Sequence, residues 1–68
     1  MNKDSLAFLY ETCNEGEVAF IKSILDANGI AFVVENEFIT RGPGIPMLIK
    51  VKAEQKDKAR ELLKDFNL

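Results

Sequence analysis

"ENEFITRGPGIPMLIKV" (residues 35–51) sets an arginine, two glycines and two prolines between two apolar runs. It is either a loop that cradles a ligand or the turn that joins two strands. A phosphate cradle uses successive free amides, preferably leading into a helix N-terminus. Here Pro43 and Pro46 remove two donors, and such residues sit outside regular ladder pairing. The loop runs into "MLIKVKA" (residues 47–53), in which Met47, Ile49 and Val51 alternate with Leu48, Lys50 and Lys52. That alternation is the pattern of a strand with one apolar face. The stretch therefore reads as a wide hairpin. Arg41 could still grip a carboxylate or phosphate with two hydrogen bonds, so Arg41, Gly42 and Gly44 are the candidate ligand-binding residues.

Upstream of the hairpin, "IAFVVENE" (residues 30–37) is rich in branched residues and supplies its first strand. Before it, Asn14 stands three residues ahead of Glu17, the spacing of a capping box, with Cys13 and Val18 at the flanking positions of a hydrophobic staple. That gives Cys13 a packing role and a half-buried position. Val18, Ile21, Ile24, Leu25 and Asn28 then keep helical spacing, and Gly29 is placed to close the helix in the left-handed conformation, with Ile30 touching Leu25. "SLAFLYET" (residues 5–12) reads as a strand ahead of this helix. In "EQKDKARELLKDFNL" (residues 54–68), Ala59, Leu62, Leu63 and Phe66 fall at i, i+3, i+4 and i+7 among charges. They predict a second amphipathic helix that buries all four.

The order is strand, helix, strand, strand, helix. A right-handed crossover through the first helix and the Arg41 hairpin together predict an α+β fold. It is a ferredoxin-like plait lacking its last strand, with a mixed sheet, the third strand between the first two, and both helices on one face. The 68 residues read as a single domain. A chain of this size hides only roughly 60% of the surface its unfolded form exposes, and small domains commonly gain stability from disulfides, metals or a partner chain. One cysteine and no histidine rule out an internal disulfide and the common zinc ligand sets. Self-association is the supplement that remains.

"LYET", "NEGEVAFIKSILDANGI", "ENEF", "GIPMLIKV" and "KARELL", in that order, resemble a small bacterial domain of unknown function named for a signal-transducing role. The likeness runs from about Phe8 to Phe66. It implies a plait akin to the nitrogen-regulatory signal proteins, self-association and a regulatory or sensory task. It implies no catalytic residues, because the family has no agreed ones. The lysine-rich "KVKAEQKDK" (residues 50–58) is more basic than the acidic helix start expected of that family.

For function, the residues point away from catalysis. Glu35 and Glu37 could share one side of the second strand, but paired carboxylates need a shielded cleft to divide their pKa values. Ser5, Ser23 and Tyr10 have no histidine base. No cofactor or metal is implied. A net charge of −2 and a pI near 5.0 argue against a phosphate-dominated nucleic-acid binder. The chain shows no export signal and no apolar run long enough to cross a membrane, so the cytoplasm is the expected compartment.

The expected function is a non-catalytic regulatory or signal-transducing interaction module, with a protein or small-molecule partner. The alternative is an RNA-binding plait using Phe8, Tyr10, Lys50 and Lys52. The first strand is apolar in both phases, so helices on one face cannot bury it all. Phe8, Tyr10, Val33 and Leu48 are therefore expected to form the self-association surface of a homodimer that uses this face, the first-strand edge, or both.

Overall fold

The computed structural model describes residues 5–37 and 44–66. Strand β1 (Leu6–Thr12), helix α1 (Glu15–Ala27), strands β2 (Phe32–Glu35) and β3 (Met47–Lys52) and helix α2 (Lys56–Lys64) occur in the predicted order. A short 3-10 turn, Ala53–Gln55, leads into α2. The fold is α+β, a ferredoxin-like plait without its fourth strand. The sheet order is β1-β3-β2 and both ladders are antiparallel. This corrects the expectation of a mixed sheet. The crossover through α1 does leave β1 and β2 running the same way, but β3 lies between them, so neither hydrogen-bonded pair is parallel.

Local signals place α1. The Asn14 side chain accepts the Glu17 amide at 3.1 Å, which satisfies one of the donors a helix start leaves open. The return half of the capping box is rerouted through Thr12. Its hydroxyl accepts the Asn14 amide at 3.0 Å and donates to the Glu17 carboxylate. Cys13 is exposed rather than half-buried, as part of the short connection between β1 and the cap of α1. At the other end Gly29 has φ +69°. The Gly29 amide bonds to the Asp26 carbonyl at 3.1 Å and the Ile30 amide to the Leu25 carbonyl at 2.9 Å, the two bonds of a Schellman motif.

The core lies between the helices and one face of the sheet. Met47, Ile49 and Val51 of β3 are buried with Val18, Ile21, Ile24 and Leu25 of α1, Ile30 beyond it, Leu9 of β1, and Ala59 and Leu63 of α2. A nine-residue helix is too short to hold its shape alone in water. Helix α2 therefore depends on the packing of Ala59 and Leu63, a large apolar side chain such as Leu63 contributing about 1.5–3 kcal/mol when fully buried. Leu62 is only partly buried and Phe66 is 49% exposed. The predicted four-residue apolar face is thus narrower than its spacing suggested: α2 ends at Lys64, and Phe66 lies past the last turn. Its ring meets that of Phe20 edge-on, with centroids 5.2 Å apart.

Strand β2 is shorter than the apolar run that announced it. Asn36 takes φ +68°, a left-handed conformation that asparagine tolerates better than most residues, and this ends the strand. The Asn36 side-chain amide donates to the Pro46 carbonyl at 3.2 Å, tying the two arms of the hairpin together. Past Asn36 the strand alternation is lost, so Glu35 and Glu37 do not share a side.

Strand β1 carries the feature that positions the candidate site. Its register against β3 runs Leu6 to Lys52, Ala7 to Val51 and Phe8 to Lys50, then resumes as Tyr10 to Ile49, Glu11 to Leu48 and Thr12 to Met47. Leu9 is an extra residue, a β-bulge, after which the phase of the strand flips relative to the sheet.

Candidate interaction surface

The bulge decides which side chains share the face of the sheet that carries no helix among the described residues. On β3 the buried residues Met47, Ile49 and Val51 define the helix side, so Leu48, Lys50 and Lys52 define the open side. Paired side chains in a ladder lie on the same face. The open face therefore has three rows: Leu6 with Lys52; Phe8, Lys50 and Val33; and Glu11, Leu48 and Glu35. Leu6 is 47% exposed, and Phe8 and Val33 are each 45% exposed. Leu6 and Phe8 are successive outward side chains of β1, and Val33 lies across Lys50 from Phe8.

Of the four residues expected on this surface, Phe8, Val33 and Leu48 are brought together and Tyr10 is not. Tyr10 sits opposite the fully buried Ile49 and packs against the core from the helix side. Strict alternation would have put Phe8 and Tyr10 on one face; the inserted Leu9 moves Tyr10 to the other. Leu6 and Glu11 are the surface residues the sequence reading missed. No local signal announces them, because both phases of "LAFLYET" are apolar.

Charge on the open face is balanced. Lys50 Nζ lies 2.9 Å from Glu35 Oε2, a diagonal bridge between neighbouring strands. Glu11 stands at one end of the face and Lys52 at the other, and neither makes an ion pair among the described residues. Two acids and two bases leave the face neutral although the chain carries −2.

The helix side offers a second feature. Glu15, Val18, Ala19, Lys22, Glu37 and Met47 line a cleft of about 280 Å³ beside the start of α1, crossed by a 2.7 Å bridge from Lys22 to Glu37. Glu35 and Glu37 are thus each held by a different lysine on a different side of the sheet. The Ser23 hydroxyl donates to the Ala19 carbonyl one turn earlier in α1, which occupies it structurally. Of the candidate ligand-binding loop, Arg41 and Gly42 lie outside the described residues. Gly44 is exposed with φ +85°, a backbone state that suits a turn. Among the described residues no group of three His, Cys, Asp or Glu is placed to hold a metal ion, and no helix is long and apolar enough to cross a membrane.

A family model described as "Putative prokaryotic signal transducing protein", a domain of unknown function, matches residues 6–67. The chain belongs to this family. The match takes in every strand and helix, including the bulged β1 and the open face it shapes. Membership gives the domain a signal-transducing label, and the resemblance carried by the capped helix, the hairpin and "KARELL" is the same one. Neither the curated proteins nor the solved structures hold a match to the chain.

Proposed function

We propose that this domain is a non-catalytic, self-associating interaction module of signal transduction that docks through the open face of its sheet. The observation that supports this is the set of Leu6, Phe8, Val33 and Leu48 disposed about Lys50, on a face that no helix covers among the described residues. Large apolar side chains gathered on one exposed face and bordered by charges mark interaction sites. The β1 edge is the weaker candidate. A bulge bends an edge strand and sharpens its twist, which is one of the ways proteins keep edges from pairing. The exposed Cys13 thiol suits a reducing cytoplasm. The RNA-binding alternative loses its aromatic pair, because Phe8 and Tyr10 lie on opposite faces, and Lys50 is already engaged by Glu35.

Sedimentation velocity over a micromolar concentration series tests the reading. The native chain is expected to show a concentration-dependent dimer. Phe8→Lys is expected to give a monomer with an unchanged circular dichroism spectrum. A native chain that stays monomeric across the series overturns self-association, and a dimer indifferent to Phe8→Lys overturns the choice of face.

A further inference from the structure

We infer that the partner on the open face is a second copy of this chain stacked face to face with its strands reversed, so that the Glu11 end of one sheet covers the Lys52 end of the other. The inference rests on the open-face reading above and adds which way round the two copies meet.

The charges on the face carry it. Glu11 and Glu35 flank Leu48 in one end row, and Lys52 stands in the other end row beside Leu6. Lys52 lies four residues beyond Leu48 along β3, about 13 Å at roughly 3.3 Å per residue. That exceeds the Debye length of about 8 Å at physiological ionic strength. The two ends are therefore distinct electrostatic sites rather than one smeared neutral patch.

A two-fold axis relating two stacked faces lies in the plane between them. If that axis ran along the strands, acidic row would cover acidic row and Lys52 would cover Lys52. If it runs across the strands, the ends exchange. Lys52 of each copy then sits over Leu48 of the other, between Glu11 and Glu35, and both contacts are attractive. The same operation lays Phe8 beside Phe8 and Val33 beside Val33, since positions along the axis are kept. Stacked sheets of this type pack about 10 Å apart with strands about 30° off parallel, a separation that aromatic and long side chains fill.

Central Lys50 meets its own counterpart in this arrangement, and it brings its own counter-ion. The bridge to Glu35 at 2.9 Å is made within each chain, so Lys50 is covered as a pair and not as a lone charge, which is the costly case. Glu11 and Lys52 are the two charges on the face without such an in-chain partner among the described residues. The reversed stack supplies one to each.

Four full-length chains test this: native, Glu11→Lys, Lys52→Glu, and the double variant, with dimerisation constants from sedimentation equilibrium at low salt and in roughly 1 M salt, where the Debye length falls to about 3 Å. Each single reversal replaces attraction by repulsion at two symmetry-related places and is expected to weaken the dimer at least about tenfold. The double variant restores opposite charges at positions 11 and 52 but leaves Glu35, which Lys50 holds in the same chain, beside position 52, so it is expected to dimerise more tightly than either single variant. An equimolar mixture of the two single variants is expected to form a heterodimer tighter than either variant with itself. All these differences should shrink at the higher salt. Single reversals that leave a native dimer unaffected, or a double variant no tighter than the weaker single, overturn the reversed stacking. In that case Phe8→Lys still reports on the open face by itself. A monomeric native chain overturns both. Circular dichroism on each variant, with Glu11→Gln and Lys52→Gln as milder changes of the same sign, separates loss of association from loss of fold.

Discussion

Truncating the two aromatic side chains of β1 should have different consequences, and the reason is the single inserted residue between them. Tyr10→Ala removes a ring that packs against the core from the helix side, opposite fully buried Ile49. Full burial of an aromatic side chain makes its truncation cost about 3–5 kcal/mol. Tyr10 is only partly buried, so about half that, roughly 2 kcal/mol, is the expected loss. At roughly 0.05–0.15 kcal/mol per residue, a domain of this length has about 3–10 kcal/mol in all, and the loss is a large share of it. Phe8→Ala removes a ring that is 45% exposed on the open face, and within one chain it should cost under about 1 kcal/mol. Chemical denaturation followed by far-ultraviolet circular dichroism at several protein concentrations separates the two. The Tyr10 loss should be the same at every concentration, because it belongs to one chain. The Phe8 loss should grow with concentration, because the native dimer gains stability by mass action that the variant forgoes. Equal losses for the two variants at low concentration would falsify the placement of the bulge, and with it the composition of the open face.

Leu63→Ala, at a position 3% exposed in the core, should cost about 3–5 kcal/mol, whereas Lys58→Ala and Lys64→Ala on the solvent side should stay within about 0.5 kcal/mol; similar midpoints for the three in urea would contradict the packing of α2. Gly29→Ala should lose about 1–2 kcal/mol although no atom lies within 4 Å of the added methyl, since the penalty comes from φ +69° and not from crowding. Asn14→Ala should lose about 1 kcal/mol through its cap, and Asn14→Ser should recover most of it; thermal melts of the three variants check both values.

The order of elements and the ends of α1 were legible in the sequence because they depend on contacts a few residues apart. Asn14 meets the amide three positions on, and Gly29 closes bonds to Asp26 and Leu25 just behind it, so the residue types and their spacing contain the whole interaction. The apolar alternation of β3 was legible because the pleat sends successive side chains to opposite faces and the helices cover one of them. The α2 pattern told the direction of its apolar side but not its extent, because how far burial reaches depends on where the helix stops over the sheet, and Phe66 falls beyond it. The bulge at Leu9 was not legible at all. A strand that is apolar in both phases fits either register equally well, and an inserted residue is defined only by what it fails to pair with on β3, which lies far along the chain beyond α1 and β2. Tertiary pairing alone therefore decided that Tyr10 faces the helices, that Phe8 faces out, and that Leu6 and Glu11 join Val33 and Leu48 on the open face.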